Sequence, residues 1–261
     1  MAETVTFVQI SDPHLMPESG ERYREWDTDA NLRRVLARVG GLPTPPAFLL
    51  VSGDLVHEGP AASYRRLRAI LAEGGATDRP LFVALGNHDR RGPFREGFLD
   101  QPPSEARYYY RAEAAGLRLL VLDSRHDLPT DDGGDLDDAQ LAWLERELAE
   151  PHPGGTLVVV HHPPIPCPVE RLNAIVLASP ERLASAIAGR DVAGVLCGHI
   201  HFAHAGALAG VPVATAPATS ALIDPGATDA PRFVPGVGFN LVQVRDGCMT
   251  VSPILLPPAA G

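Results

Sequence analysis

Six short apolar runs, each of strand length, constrain the fold of this chain more than any other feature. They are rich in Val and Leu, and several are nearly continuous rather than alternating in polarity. Such a run is typical of a strand covered on both faces, since a half-exposed strand alternates apolar and polar residues. The six runs cover residues 4–10, 47–52, 81–85, 118–123, 156–160 and 192–197.

Helical patterns lie between the apolar runs. The first contains Leu32, Val35, Leu36 and Val39, which recur at intervals of three and four residues and form one apolar stripe. Further helices are predicted around Tyr64, Leu67 and Leu71, around Leu141, Leu144 and Leu148 with Asp137 as the N-cap, and from Ser179 and Pro180 to Gly189. Strand and helix therefore alternate through most of the chain, which indicates an α/β layer fold.

The last third of the chain is predicted to be rich in β-structure. Strand patterns cover residues 211–216, 239–245 and 249–255, and the loops between them are rich in Pro, Gly and Ala. The sequence contains no low-complexity linker before this region. We therefore expect residues 1–261 to form a single domain, with residues from about 205 to 261 as its β-rich portion.

The formal net charge of −10 bears on the expected partners. A nucleic acid or an anionic membrane normally requires a basic face, so neither is an expected partner. No apolar stretch reaches the ~18 residues of a membrane span, and no signal-peptide pattern is visible. Cys167, Cys197 and Cys248 lack paired or CxxC spacing, and we expect them to be buried or inert thiols. The expected location is the cytoplasm.

The residues that carry chemistry stand where the predicted strands end. Functional groups of α/β sheets gather at the carboxyl ends of strands, because the loops there converge. A single Asp, Asn or His after a strand is usually turn chemistry, but five such ends in one chain predict one shared site. The five ends carry Asp12 and His14; Asp54; Asn87, His88 and Asp89; His161 and His162; and His199 and His201.

These five blocks read D-x-H, GD, GNHD, HHP and GHxH, in that order, from Asp12 to His201. The order resembles the calcineurin-like metallophosphoesterase superfamily. Within it, the wording FVQISDPHL, ALGNHDRR and LCGHIHFAHAG is most similar to bacterial class III cyclic-nucleotide phosphodiesterases, and glycerophosphodiester hydrolases belong to the same group. The resemblance implies a four-layer αββα sandwich, in which two packed mixed β-sheets are flanked by helices.

The resemblance also implies a dinuclear metal centre. The implied ligands are Asp12, His14 and His201 for one metal, Asn87, His161 and His199 for the other, and Asp54 as a bridge between them. Two divalent cations against two carboxylates leave a positive surplus, which suits an anionic phosphodiester. Imidazole nitrogen with carboxylate oxygen favours Mn, Fe, Zn or Co over Ca, and the sequence does not choose among these four metals.

The expected reaction is an in-line attack on phosphorus by a hydroxide that bridges the two metals. His88 is not counted among the ligands. We expect it to contact a phosphoryl oxygen or to protonate the leaving alkoxide, with Asp89 orienting its ring. His162 is expected to lie behind the ligands or to face the substrate, and His204 to lie in solvent or behind the ligands.

Two segments outside the motifs, residues 16–28 and 167–178, are candidates for the walls of the site. Their notable side chains are Arg22, Tyr23, Arg24 and Trp26 in the first segment and Asn173 in the second. Both would select the substrate rather than bind the metals.

The predicted function is that of a phosphodiesterase acting on small diesters, and 3′,5′-cyclic nucleotides are the first candidate substrates. The alternatives are a hydrolase of glycerophosphodiesters or other small cyclic or diester phosphates, a phosphomonoesterase, and a metal-free scaffold of the same fold. The complete ligand set argues against a scaffold, and the negative charge argues against a nuclease. The expected partner is a small molecule, and a homodimer or larger homo-oligomer is a candidate state, with residues 224–238 as a candidate contact.

Overall fold

The structure is a computed structural model that describes residues 4–126 and 132–258. In chain order its strands are β1 (Val5–Ile10), β2 (Leu49–Ser52), β3 (Leu81–Ala84), β4 (Tyr110–Ala114), β5 (Leu117–Val121), β6 (Thr156–Val159), β7 (Val192–Cys197), β8 (His204–Leu208), β9 (Val211–Thr215), β10 (Leu222–Ile223), β11 (Phe233–Val234), β12 (Val237–Arg245) and β13 (Cys248–Leu256). Its helices are α1 (Thr28–Gly40), α2 (Ala61–Glu73), α3 (Arg91–Phe98), α4 (Asp138–Glu147) and α5 (Pro180–Ile187), and 3-10 turns cover Ala76–Asp78 and Glu170–Ala174.

The strands form two mixed sheets. The first has the order β13-β12-β1-β2-β3, in which β1, β2 and β3 are parallel and β12 runs antiparallel to both of its neighbours, β1 and β13. The second has the order β4-β5-β6-β7-β9-β8, in which β4 and β8 are antiparallel edges of an otherwise parallel sheet. Strands β10 and β11 pair separately as a short antiparallel ribbon.

Three apolar clusters separate four layers. Phe7 of β1 and Leu157 of β6 belong to the cluster that joins the two sheets. Tyr64 of α2 and Phe94 of α3 belong to the cluster on the outer face of the first sheet, and Leu144 of α4 to the cluster outside the second. Each large side chain buried in this way stabilises the fold by roughly 1.5–3 kcal/mol. The predicted four-layer αββα sandwich is confirmed.

Four of the described helices, α1, α2, α4 and α5, match the helices that the sequence predicts, and the predicted apolar faces are buried. The stripe of α1 is buried, and the Asp137 side chain caps α4 by accepting a hydrogen bond of 2.8 Å from the Gln140 backbone. Ser179 stands at the N-cap position of α5, but its φ of 51° turns it away from side-chain capping, and Pro180 opens the helix. Gly189, with φ of 69°, follows the end of α5.

Three of the elements that the sequence analysis missed, α3, β4 and β8, lack a clear apolar pattern. Helix α3 contains two glycines and a proline within eight residues, which lowers its helix propensity. Strand β4 is an edge strand that carries alternating charges, and β8 is a largely exposed edge. Packing against a neighbouring strand or helix, rather than local propensity, therefore decides whether these three elements form.

The β-rich last third contributes to both sheets. Strands β8 and β9 complete the second sheet, whereas β12 and β13 complete the first. This sharing is what a single domain requires, although the domain assignment stays a prediction and its ends, residues 1–3 and 259–261, lie outside the described residues. Cys167 and Cys197 are buried as expected, but Cys248 is exposed at the start of β13, which corrects the expectation for that thiol.

A buried polar network lies between the two sheets. The Gln9 side chain on β1 donates hydrogen bonds to the Ser52 hydroxyl at 3.0 Å and to the Cys197 carbonyl of the opposite sheet at 2.8 Å. The Asn240 side-chain amide on β12 donates to the side-chain oxygen Oε1 of Gln9 at 3.1 Å. Such a network fixes the two sheets relative to each other, because a buried polar group without a partner costs about 1–3 kcal/mol. Within the described residues, no helix combines the length and apolarity that crossing a bilayer demands.

Candidate metal centre

All seven predicted ligands lie in loops that leave the carboxyl ends of strands. The first sheet supplies Asp12 and His14 after β1, Asp54 after β2 and Asn87 after β3, and the second sheet supplies His161 after β6 and His199 and His201 after β7. The candidate site therefore lies where the carboxyl ends of the two sheets meet. Because β1, β2, β6 and β7 are central strands, the positions from which these loops start are fixed by hydrogen bonds on both sides.

Most of these loops hold a strained backbone. Among the described residues, twelve non-glycine residues have positive φ, and five of them are predicted ligands: Asp12 (52°), His14 (44°), Asp54 (51°), His199 (75°) and His201 (62°). The left-handed conformation costs about 1–2 kcal/mol for such a residue. Strain of this kind persists only where the surroundings over-determine the conformation, and it clusters at functional sites.

Backbone hydrogen bonds hold the strained loops in place. The Asp12 N–H donates to the Gly53 carbonyl at 3.0 Å, and the His14 N–H donates to the Asp54 carbonyl at 2.9 Å. Across the sheets, the His199 N–H lies 3.1 Å from both carboxylate oxygens of Asp12. The loops therefore support one another, and none is free to relax alone.

The glycines of the GD, GN and GH motifs are required by close approach. A Cβ atom on Gly86 would lie 2.2 Å from Asp54 Oδ1, and one on Gly198 would lie 2.7 Å from Asp12 Oδ2. Gly53 adds a φ of 104°, which other residues rarely adopt. Any side chain at these positions would displace a candidate ligand.

A first group of donors consists of Asp12, His14 and His201. The two Nε2 atoms of the histidines are 3.1 Å apart, and His201 Nε2 lies 3.5 Å from Asp12 Oδ1. All three donor atoms lie within 4.8 Å of one another, and all three side chains are buried. This is the set that the resemblance assigns to one metal.

Asp54 lies between this group and the second histidine cluster. Its Oδ2 atom is 3.4 Å from His14 Nε2 and 3.3 Å from His161 Nε2. Its Oδ1 atom accepts a hydrogen bond of 2.9 Å from the His88 N–H. One carboxylate oxygen is therefore shared between the two sides of the site, which is the position that a bridging ligand needs.

The second group contains His161, His199 and Asn87. The His199 Nδ1 atom lies 3.1 Å from Asn87 Oδ1, and the rings of His161 and His199 have centroids 5.2 Å apart. His161 Nε2 is also 3.9 Å from Asp12 Oδ1. The structure therefore brings all seven predicted ligands into one place.

Carbonyl groups fix the tautomers of two histidines. His161 Nδ1 donates to the Ser52 carbonyl at 2.7 Å, and His201 Nδ1 donates to the Ala221 carbonyl at 2.9 Å. The Nε2 atom of each ring is then left with its lone pair facing the carboxylates. A hydrogen bond of this kind behind a ligating imidazole orients the ring and raises its basicity.

The electrostatics of the site favour positive charge. Burial lowers the pKa of His161, but the Asp54 and Asp12 carboxylates outweigh burial and raise it to about 9. Burial would raise the pKa of Asp54, yet the imidazoles of His161, His88 and His14 hold it well below its ordinary value. The two carboxylates therefore create a field at the His161 ring that stabilises a positive charge.

The residues fit a metal centre by their chemistry and by their unmet hydrogen-bonding capacity. Within the part of the chain that the structure describes, the buried Nε2 atoms of His161 and His199 have no hydrogen-bond partner. Burial also lowers the pKa values of His14 and His199 well below the ordinary range, so both imidazoles are neutral, which is the form that binds a metal. Imidazole nitrogens with carboxylate and amide oxygens suit divalent transition metals.

The two residues predicted to be catalytic differ in their surroundings. His88 lines the cavity above the ligands, and its ring lies edge-on to His14 with centroids 4.8 Å apart. The expectation that Asp89 orients this ring is corrected by the contacts of its carboxylate. That carboxylate accepts hydrogen bonds from the backbone of Gly86, Leu55 and Val56 and from the Tyr64 hydroxyl, at 2.9–3.3 Å. Asp89 is buried and holds the two ligand loops together.

His57 is a site residue that the sequence analysis missed. Its Nδ1 atom lies 3.4 Å from His14 Nδ1, and its ring stacks on His88 with centroids 4.5 Å apart. If His14 binds a metal through Nε2, its Nδ1–H must donate, and His57 Nδ1 is the acceptor beside it. A histidine three residues after the GD motif was the only sequence signal.

The remaining histidines take different places. His162 is buried behind His199, bound through Nδ1 to the Ser124 hydroxyl at 2.7 Å and through Nε2 to the Asp132 carbonyl at 3.1 Å. Burial, reinforced by His161, lowers its pKa to about 3, so it is neutral. His204 lies on the edge strand β8, where Nε2 bonds the Pro166 carbonyl at 3.0 Å. Of the two predicted positions for His162, the structure selects the one behind the ligands.

A cavity of about 390 Å³ opens above the candidate ligands. Both predicted wall segments reach it, through Tyr23 and Arg24 of the first and Arg171, Leu172 and Ile175 of the second. Three side chains of the predicted wall segments make their contacts elsewhere. Arg22 donates a hydrogen bond to the Glu25 carbonyl, and Trp26 packs beside Phe233. The Asn173 side chain exchanges two hydrogen bonds with the backbone of Cys167 in its own loop. Phe233 of β11, which the sequence analysis missed, also lines the cavity.

Comparison with known proteins gives a consistent family. A family model described as "Calcineurin-like phosphoesterase" matches residues 5–203. A Rhodococcus erythropolis protein named "Probable cyclic nucleotide phosphodiesterase" is 35% identical over 252 residues, which cover 95% of this chain and 83% of the relative. The "Glycerophosphodiester phosphodiesterase GpdQ" of Enterobacter lignolyticus is 31% identical over 217 residues, which cover 80% of this chain and 76% of the relative.

The fold has a match among solved structures. The structure of a dimetal phosphatase from Danio rerio superimposes with a TM-score of 0.61 at 18% identity, covering 98% of this chain and 99% of the other. At that level of identity the similarity concerns the fold alone.

Proposed function

The chain belongs to the calcineurin-like phosphoesterase family, a family of metal-dependent hydrolases, and on this premise we propose that it hydrolyses small phosphodiesters, 3′,5′-cyclic nucleotides first. One observation carries the proposal: the seven donors meet as two neighbouring groups with one oxygen of Asp54 between them. A hydrolase of an anionic diester needs metal cations that concentrate positive charge at the site. Buried carboxylates and neutral imidazoles are the groups that bind such cations.

The proposed ligands follow the two groups of donors. They are Asp12, His14 and His201 for one divalent ion, Asn87, His161 and His199 for the other, and Asp54 for both. When bound, such a pair would lower the pKa of a water molecule toward neutrality and would neutralise charge on the phosphoryl oxygens. Mn, Fe, Zn and Co all suit this donor set.

The other residues of the site are proposed to position the ligand loops and to protonate the leaving group. His88 lies beside Asp54 at the floor of the cavity, so its ring can contact a phosphoryl oxygen or give a proton to the leaving alkoxide. Asp89 is proposed as a positioning residue, since its carboxylate ties the loop of Asn87 to the loop of Asp54. The neutral Asn87 amide would add a ligand without adding negative charge.

The substrate class follows from the relatives and from the cavity. The relative named for cyclic nucleotides matches more of this chain, and at higher identity, than the one named for glycerophosphodiesters. The cavity also has apolar side chains in its walls, and a nucleobase can contact them over a larger area than a glycerol group can. Hydrolysis of glycerophosphodiesters is the second candidate, because that relative also shares more than 200 aligned residues.

The first experiment separates an enzyme from a scaffold. Purified protein is assayed for metal content and for turnover of bis(p-nitrophenyl) phosphate with and without Mn²⁺. We expect two metal ions per chain and turnover that a chelator abolishes. Protein that takes up metal but leaves the diester intact would contradict the proposal.

The second experiment assigns the substrate. The specificity constants kcat/KM for 3′,5′-cyclic AMP, 3′,5′-cyclic GMP, glycerophosphoethanolamine and p-nitrophenyl phosphate are compared on the same preparation. We expect the cyclic nucleotides to rank first and the monoester last. A higher kcat/KM for glycerophosphoethanolamine would replace the first candidate with the second.

A further inference from the structure

One wall of the cavity combines aromatic rings with a cation, which diester hydrolysis by itself does not require. Tyr23, Arg24 and Phe233 form this wall, which we call the aromatic wall. The guanidinium carbon of Arg24 lies 3.8 Å from the centroid of the Phe233 ring and 5.8 Å from that of Tyr23. Tyr23 in turn stacks on His14, with centroids 4.7 Å apart and planes within 10°. The aromatic wall is therefore continuous with the candidate metal centre.

The backbone presents Arg24 to the cavity at a cost. Tyr23 and Trp26 exchange two backbone hydrogen bonds of 3.0 Å, so Arg24 and Glu25 form a two-residue turn between them. Arg24 has a φ of 55°, a conformation that costs about 1–2 kcal/mol for a non-glycine residue. The stacked position of its guanidinium is thus set by the turn.

The charge of Arg24 is left available. Within residues 4–126 and 132–258, no carboxylate lies within ion-pair distance of its guanidinium, although Glu21, Glu25 and Asp27 are close in sequence. Arg66, by contrast, pairs with Asp29 at 3.2 Å. Arg24 therefore brings an exposed cation, centred 3.8 Å from the centroid of the Phe233 ring, to the lining of the cavity.

We infer that Arg24, held on Phe233, is a nucleobase-binding element that makes the site prefer nucleotide diesters over glycerophosphodiesters. The inference rests on the proposed function and names the residues that would select its substrate. Guanidinium planes and aromatic rings stack on the flat face of a base, and the strength of stacking depends little on which base is present. Leu172 and Ile175 line the same cavity and add apolar surface, whereas a glycerol group offers no flat face.

The test isolates the base. Dissociation constants of AMP and ribose 5-phosphate are measured by titration calorimetry on the Mn²⁺-loaded full chain, since the two ligands share a phosphate and a ribose. We expect AMP to bind more tightly to the wild type, and Arg24→Ala or Phe233→Ala to weaken AMP about ten-fold, a typical loss for one stacked base. Ribose 5-phosphate should bind all three proteins equally.

Two further variants separate stacking from charge. Arg24→Lys keeps the charge but loses the plane, so we expect it to weaken AMP nearly as much as Arg24→Ala does. Arg232→Ala is the matched control, because Arg232 adjoins Phe233, is 67% exposed and pairs with Asp224 outside the cavity. It removes the same charge and should leave AMP binding unchanged.

Turnover supplies the second readout. In Arg24→Ala, kcat/KM for 3′,5′-cyclic AMP should fall about ten-fold while that for glycerophosphoethanolamine stays constant. Equal binding of AMP and ribose 5-phosphate to the wild type, or equal loss of both in Arg24→Ala, would overturn the inference and leave diester hydrolysis intact. Absence of turnover on every diester would instead refute the proposed function, and the binding data would still decide the inference.

Discussion

The floor and the mouth of the site are built in opposite ways. The floor consists of the candidate ligands, six of which are buried at the ends of central strands. Five of them have a strained backbone, and the motif glycines lie in close contact with the ligand side chains. The mouth consists of surface loops such as the turn of Arg24 and the Glu170–Ala174 3-10 turn, whose cavity-facing side chains include exposed arginines. Donors held at the ends of central strands are positioned more precisely than side chains on surface loops.

This difference assigns different tasks to the two regions. A floor whose loops hold one another in strained conformations suits chemistry that is sensitive to position. A mouth held by a few loop contacts can change its side chains without moving the floor, which suits selection of the substrate. Changes in the floor should therefore affect metal binding and kcat, and changes in the mouth should affect KM and substrate preference.

The largest expected effect is that of Asp54→Ala in the floor. Asp54 lies between both donor groups, so its loss should remove metal from both and abolish turnover. Metal content and bis(p-nitrophenyl) phosphate turnover measure the two effects. Asp54→Asn keeps the shape without the charge and should recover little. Full metal occupancy in Asp54→Ala would show that this carboxylate is not shared.

Next in size is His88→Ala, which should retain both metals. Loss of a general acid costs about 10²–10⁴-fold in rate, so kcat on cyclic AMP should fall by about 10²-fold or more. With bis(p-nitrophenyl) phosphate, whose leaving group needs no proton, the loss should be smaller. An equal kcat for wild type and variant on cyclic AMP would remove His88 from the chemistry.

Gly198→Ala tests whether the floor is as tightly packed as its distances indicate. A single methyl group would meet Ser11 Oγ at 2.0 Å and Asp12 Oδ2 at 2.7 Å. We expect weaker metal binding and a loss of stability of about 1–3 kcal/mol from overpacking, measured by thermal unfolding. Gly40→Ala is the control, since nothing lies within 4 Å of its added Cβ and alanine favours the helix. Equal metal binding and equal thermal stability of the two variants would mean that the floor accommodates the added methyl group.

His57→Ala is expected to have a moderate effect at the border of the two regions. It removes the group beside His14 Nδ1, and loss of such a partner typically costs about 10–100-fold in metal affinity. Competition with a chelator measures that affinity without relying on turnover. His57→Asn places an oxygen near the lost nitrogen and should restore part of the affinity. If alanine and asparagine bind metal alike, His57 does not position His14.

The smallest expected effect belongs to Arg66→Ala beneath the mouth. Arg66 donates to the Met16 and Pro17 carbonyls and pairs with Asp29, so it ties the first wall segment to α2. We expect KM for cyclic AMP to rise a few-fold, with kcat unchanged and less than about 1 kcal/mol lost in stability. Arg65→Ala, which loses only an exposed pair with Glu96, should change neither. A fall in kcat would show that floor and mouth are coupled.

The floor was largely predictable from the sequence, and the mouth was not. Asp12, Asn87 and His161 each lie within two residues of the end of an apolar run. The loops at the carboxyl ends of parallel strands converge, so these residues were expected to share one site. Arg24 was predicted only as part of a wall segment, and Phe233 was not predicted at all. Their contact joins residues about 200 positions apart, and no local pattern encodes it.

The role expected for Asp89 shows the same limit. The motif places it beside His88, and adjacency in sequence suggested that it orients the ring. Its carboxylate turns instead to backbone N–H groups of two loops, because a buried carboxylate is stabilised most where several donors converge. Local motifs give the residue types but not the direction in which a side chain points.

The sequence by itself determined the α/β layers and the strand ends and indicated the candidate donors, because burial patterns and motif order are local properties of the chain. Only the tertiary structure decided that His57 stands behind His14 and that Arg24 rests on Phe233, whereas the position of Asp54 between the two groups is the one that the resemblance had implied. Each of these contacts depends on how two sheets pack and where their loops meet. Packing of that kind is a property of the whole chain, since it is set by long-range burial rather than by any one segment.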